Sequence, residues 1–187
     1  MMKNVLIIFF LFTGFNLTAQ TKIGGVIMPN VVKAGDEYLK INGGGIREKM
    51  FLDLYIGVLY LREKSNSAST IINADEPMAI KMRVVSGMVS KDNMEEAIRT
   101  GFEKSTGNKV APIQTKIDQL ITSGFKDEIK VGDIFDLIYL PATGTTLHKN
   151  NTAVVTIKGL DFKKALFGIW LCDQPADANL KNKMLGL

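Results

Sequence analysis

The sequence predicts an α+β fold: a large antiparallel sheet covered on one face by helices. Three observations carry that expectation. The elements run strands, helices, strands, helices, without the strict alternation that builds a parallel sheet. Segments 49–62 and 78–85 alternate apolar and mixed positions with the period of two expected of strands. Segments 90–124 and 160–185 instead carry apolar residues at helical spacing.

Lys22 to Lys33 is a β-prone start interrupted by Pro29. Tyr38 to Ile41 reads as a short strand ahead of Gly43, Gly44 and Gly45. Lys49 to Arg62 reads as one long strand. Its even positions, Met50 to Tyr60, form an unbroken apolar face for a core, and its odd positions form a partly polar face. In the next strand, Met78, Ile80, Met82 and Val84 share one side and Lys81 and Arg83 the other. Ser90 is a good helix N-cap, followed by an acidic first turn and by Met94, Ala97, Ile98, Gly101 and Phe102 at helical spacing. Pro112 suits the first turn of a second helix with the stripe Ile113, Ile117, Leu120, Ile121, which Gly124 can end. Ile134 to Leu140 returns to strand. A hairpin around Lys149-Asn150-Asn151 follows, then a helix capped by Asp161, and a short helix holding Leu180, Met184 and Leu185 closes the chain.

The 187 residues are ample for a single core, and no linker or internal repeat divides them. Residues 1–20 have the layout of a cleaved secretory signal: Lys3, the apolar run Val5 to Phe12, and small residues up to Ala19. The apolar run is too short for a membrane span. The expected organisation is therefore a signal over 1–20 and one domain over 21–187, with no transmembrane segment after cleavage and a periplasmic or secreted location.

The single Cys excludes an intramolecular disulfide and a cysteine-built zinc site, and the single His excludes a multi-histidine metal centre. No metal and no cofactor are expected. Cys172 reads as a buried small apolar residue and His148 as an exposed loop residue. The net charge of +4 is spread along the chain, so no nucleic-acid partner is expected. There is no phosphate-binding loop and no nucleophile elbow, and Gly43 to Gly45 lack the dinucleotide-binding spacing.

The unusual segment is Ile41 to Leu61. Its glycines permit rare backbone conformations or a close approach. Arg47, Asp53 and Tyr55 share odd parity, so a regular strand sends all three to its mixed face. A guanidinium binds a carboxylate or oxyanion with two hydrogen bonds, and a tyrosine hydroxyl adds a donor. The plain alternative is a surface Arg47 paired with Asp53 beside a partly buried Tyr55.

This segment, with Tyr55 to Leu61, the Met94 to Phe102 helix, Pro141-x-x-Gly144-Thr145 and the close LDFKKALFGIWLCDQPADANLKNKMLG, resembles the chalcone isomerase-like family over nearly all of the domain. The resemblance implies an open-faced β-sandwich with a cleft between sheet and helices. It matches Arg47 to the arginine that steadies developing negative charge in the isomerases. It also makes Arg47 and Tyr55 similar to the pair that the plastid fatty-acid-binding relatives place on a carboxylate. The isomerases' catalytic tyrosine, asparagine and late hydroxyl positions fall near Ser90, Ala97 and Asp177, so most of the isomerase set is missing.

Three readings follow. The first is a non-catalytic protein holding a fatty acid or similar apolar carboxylate in the cleft. There Arg47 takes the anion, Tyr55 donates a hydrogen bond, and Met50, Met82, Met88 and Met94 form an adaptable wall or simply core. The second is an intramolecular lyase of chalcone-to-flavanone type relying on Arg47. The third is a ligand-free structural or partner-binding envelope protein whose cleft has closed.

Overall fold

A computed structural model describes residues 20–187. The expected signal over 1–20 lies outside the described residues except for Gln20. The chain forms strands β1 (Gln20–Ile23), β2 (Val26–Pro29), β3 (Val31–Ala34), β4 (Glu37–Lys49) and β5 (Leu52–Leu61). Helix α1 (Ala68–Asn73), strand β6 (Met78–Val84) and helices α2 (Lys91–Thr106) and α3 (Gln114–Gly124) follow. Strands β7 (Ile134–Leu140), β8 (Gly144–Lys149) and β9 (Thr152–Ile157) and helices α4 (Leu160–Leu171) and α5 (Ala178–Met184) complete it. Strands β3 to β9 form one seven-stranded antiparallel sheet in sequence order, and β1 and β2 form a separate hairpin. Each sheet strand thus pairs with its neighbour in the chain, as the strand-rich halves of the sequence require.

The helices lie on one face. There Leu59, Ile80, Met82, Phe135, Leu137 and Leu147 from the sheet meet Phe102, Ile117, Leu120, Phe162, Leu166 and Phe167 from the helices. The opposite face carries a second, smaller cluster of Met28, Ala34, Leu39, Ile56, Val58, Tyr60 and Ala79. The expectation of one core face and one partly polar face for residues 49–62 is therefore corrected. Tyr55, Leu59 and Leu61 lie under the helices, Ile56, Val58 and Tyr60 lie in the second cluster, and both faces of β5 are buried from Tyr55 to Leu61.

The long strand expected over 49–62 is also corrected. A two-residue turn at Met50-Phe51 breaks it, with both residues at positive φ (51° and 65°), and joins Lys49 to Leu52. Two-residue hairpins take this mirror-image geometry because it matches the twist of the strands. The expected short strand over 38–41 is instead the start of β4, which runs on through all three glycines. Gly43 and Gly45 serve close approach. A Cβ on Gly43 would lie 2.2 Å from the carbonyl oxygen of Lys183, and one on Gly45 would lie 3.0 Å from the Lys183 Cβ. Bare backbone there lets α5 lie directly on β4.

The caps follow local rules. Ser90 Oγ accepts from the Asn93 N–H (3.2 Å), and Gly107 at φ 60° closes α2. Pro112 sits in a short 3-10 turn, Ala111–Ile113, that leads into α3. Asp161 is not the cap of α4. Gly159 occupies that position, and Asp161 lies in the first turn, where it accepts two 2.8 Å hydrogen bonds from Lys116 Nζ. Cys172 is half-buried at the end of α4 rather than fully buried. Helix α1 was not expected. It is held by Lys163, which is fully buried and donates to the carbonyls of Ile71 (2.8 Å), Ile72 (3.0 Å) and Ala74 (2.8 Å) at the C-terminal end of α1.

Candidate functional site

Arg47 on β4 and Tyr55 on β5 are direct cross-strand partners. They do not lie on one strand, as equal parity suggested, but across a hairpin. The ladder between β4 and β5 shifts register twice, at Asn42 and at Leu54. Between the two shifts, residues 43–47 face residues 55–59, and this places Arg47 on the helix side with Tyr55.

Tyr55 is buried. Its Oη accepts from Trp170 Nε1 at 2.8 Å and from Arg47 Nη1 at 3.4 Å. The Arg47 guanidinium lies 5.6 Å from the Tyr55 ring centroid. Among the described residues nothing accepts the Tyr55 hydroxyl proton, and Arg47 Nε is buried without a partner. Among the described residues Arg47 forms no salt bridge. Asp53, the partner offered by the plain alternative, is exposed and lies opposite Glu48. Two donors thus converge at one end of an apolar space with no acidic side chain to satisfy them.

That space is small. Met82, Met94, Ile98, Leu137, Leu166 and Trp170 are among its walls, and its volume is about 20 Å³. This is room for about one water, far below the ~300 Å³ at which ligand pockets begin. Met82 and Met94 are buried walls, whereas Met50 and Met88 are exposed and belong neither to a wall nor to the core. Trp170, which joins the Arg47–Tyr55 pair by its hydrogen bond to Tyr55, is not among the residues that the sequence singles out. A buried indole N–H requires an acceptor, and the one Trp of the chain was the available signal.

Of the other positions considered, Ser90 caps α2 and Ala97 lines the small cavity. Asp177 caps α5, accepting from the Leu180 N–H at 2.9 Å. His148 is not an exposed loop residue. It lies half-buried in β8 opposite Asp136, on the face away from the helices. No cluster of three or more His, Cys, Asp or Glu able to hold a metal occurs among the described residues, and none of their helices is long and apolar enough to cross a membrane.

A curled antiparallel sheet with helices on one face, and a guanidinium–hydroxyl pair between them, defines an open-faced α+β sandwich. Residues 20–186 match the chalcone isomerase-like family model, and the chain belongs to that family. Among solved structures it is similar to a fatty-acid binding protein of Arabidopsis thaliana. The two share 17% identity and a TM-score of 0.68, over 86% of this chain and 92% of that one. At that identity the likeness shows the fold. Comparison with curated proteins gives no match.

Proposed function

We propose that the protein is a non-catalytic binder of a fatty acid or similar apolar carboxylate, held between sheet and helices. One observation carries the reading: Arg47 and the Tyr55 hydroxyl face an apolar interior with unfilled donors and no carboxylate of the protein's own. Arg47 is half-buried and its Nε is buried without a partner; an unpaired buried donor is costly, and a ligand carboxylate would relieve that cost. The fold shared with the Arabidopsis fatty-acid binding protein supports this reading. Binding requires the cleft to open. Met82 and Met94 are the wall side chains best able to re-pack, being unbranched and flexible. We further propose that residues 1–20 direct export and are removed, so that the domain acts in the periplasm or outside the cell.

The test is mass spectrometry of protein extracted under denaturing conditions, followed by titration with dodecanoate using Trp170 emission. The expected result is a co-purifying acyl chain and a saturable change in emission. Arg47→Ala should weaken it by tenfold or more, since a hydrogen bond to a charged group is worth about 1.5–3 kcal/mol. Absence of both the acyl chain and the emission change would overturn the proposal. Consumption of a chalcone above the uncatalysed rate, lost in Arg47→Ala, would establish an intramolecular lyase instead.

The cavity volume favours a second reading, in which the cleft is permanently closed and the domain is structural or binds a protein partner. The same titration separates the two, because a closed core leaves Trp170 emission unchanged at every dodecanoate concentration.

A further inference from the structure

A cavity larger than the one beside Arg47 lies on the other face of the sheet. Its volume is about 260 Å³, close to the lower end of the range for small-molecule pockets. Cross-strand register orders its floor. Lys81, Asp136 and His148 are successive partners across β6, β7 and β8 and form one row. Tyr60, Ala79 and Ile138 are successive partners across β5, β6 and β7 and form the next row on the same face. One row is polar and the other is apolar in its side-chain bodies. Val32 and Lys33 of β3 and Asn151 complete the lining.

The polar row is incompletely paired. Lys81 Nζ lies 2.5 Å from Asp136 Oδ1, with both side chains largely buried (13% and 11% exposed). Asp136 is the one partner of that ammonium group among the described residues, which leaves hydrogens unfilled. His148 Nδ1 is buried with no partner. Buried polar groups in folded proteins are almost always satisfied by protein or water, so unfilled groups gathered along one cavity are available to bond a polar occupant. Lys33 at the rim has no acidic partner among the described residues. Two lysines against one aspartate give the lining one net positive charge from these three side chains. Tyr60 donates to the carbonyl of Pro29 at 2.9 Å. Burial, and then the nearby Asp136 carboxylate, push its hydroxyl well above the ordinary tyrosine range, so it stays neutral.

We propose that this recess is a second binding site, separate from the Arg47–Tyr55 site, for a compact aromatic monocarboxylate. The carboxylate lies over the Lys81–Asp136–His148 row, where Lys81 and Lys33 supply the charge and His148 a ring nitrogen. The ring lies over Tyr60, Ala79 and Ile138. Charge fixes the anion, the two-row floor fixes its orientation, and the volume limits its size.

The chain carries its own reporters. It has one His, at the proposed site, and one Trp, at the other. Benzoate is the probe, followed by the His148 ring resonances in NMR and by Trp170 emission. The expected result is a saturable His148 shift with Kd of about 1 mM or tighter and unchanged Trp170 emission. Lys33→Glu, at an exposed position, should weaken binding by tenfold or more. Ala79→Leu, which fills the floor, should abolish it, and Arg47→Ala should leave it unaltered. If Ala79→Leu fails to fold, Lys33→Glu still decides. No saturation by about 10 mM, equal affinity in Lys33→Glu, or a benzoate response lost in Arg47→Ala would overturn the proposal. Failure of dodecanoate to bind leaves this site untouched, because the two reporters are independent.

Discussion

If the Arg47–Tyr55 cleft is closed by side chains that a ligand must displace, removing one of them should weaken the fold and strengthen binding. Met94 is the residue to remove. It is 7% exposed and forms a wall of the 20 Å³ cavity. Met94→Ala loses the transfer free energy of the buried thioether and leaves a void. Such replacements cost about 2–5 kcal/mol. The low end applies here, because Met94 sits near the first turn of α2 and the neighbouring Met82 can relax into part of the space. We therefore expect a loss of about 2 kcal/mol, read by urea unfolding at constant m-value. In the wild type the ligand must disrupt that packing, and in the variant the disruption is already made. The apparent Kd for dodecanoate should tighten by up to about 30-fold, the factor that 2 kcal/mol represents at 25 °C. Stability and affinity moving in opposite directions is the signature. A variant that loses stability and binds equally or more weakly would refute the view of Met94 as a displaceable plug.

Other outcomes follow from single contacts. Lys163→Met keeps the apolar stem but leaves three carbonyls at the C-terminal end of α1 (Ile71, Ile72 and the capping Ala74) without this donor, so chemical unfolding should show a loss of about 3–5 kcal/mol. Asn42→Ala removes a side chain that donates to Ser65 O and Met184 O and accepts from Ser65 N, each at 2.8 Å, and should cost about 2–3 kcal/mol by the same measurement. Burial raises the pKa of Asp133, but hydrogen bonds from Asn150, the Lys130 N–H and Lys149 outweigh it and hold the carboxyl below its usual value. Its contribution is therefore present above about pH 4, the unfolded value, and is lost as pH falls through the folded one. Acid unfolding of Asp133→Asn should accordingly show a shallower loss of stability below about pH 4 than the wild type.

Much of the fold was legible because it is local. Ser90 caps α2 as the sequence predicts, and the apolar side of β6 is the one that period-two alternation marks. The Met50-Phe51 turn was not legible. Such turns ordinarily carry Gly, Asn or Asp, and two large apolar residues mimic the continuation of a strand. The glycines lie inside β4 rather than beyond a short strand, and of the two uses they permit it is the close approach that Gly43 and Gly45 serve. Helix α1 has only Ile71 fully buried, too little to mark a helical stripe, although Ser67 does cap it. Arg47 and Tyr55 were legible as candidate chemistry, whereas their third member, Trp170, lies 115 residues from Tyr55 in sequence and reaches it only through the packing of α4 on the sheet. His148 was misread because its polar neighbours suggested a loop, while register alone places it opposite Asp136.

The pairing of Arg47 with Tyr55 depends on a feature that no parity argument contains. From the turn outward the ladder begins with Lys49 opposite Leu52 and Glu48 opposite Asp53. Continued without interruption, it would set Arg47 opposite Leu54 and Tyr55 opposite Ile46. Side chains alternate, so the guanidinium and the hydroxyl would then leave on opposite faces of the sheet. The extra residue at Leu54 moves Arg47 onto Tyr55, and the extra residue at Asn42 restores the original register by Ile41 and Tyr60. The displaced stretch is therefore bounded by two bulges, and one of them is anchored. Asn42 is nearly buried, and its amide ties β4 to Ser65 and to the end of α5. Loss of that anchor removes the reason for the ladder to slip at 42 rather than run straight. Bulges re-aim side chains where a site needs them. Asn42 thus anchors the far boundary of the displaced stretch that carries a guanidinium–hydroxyl pair it does not touch.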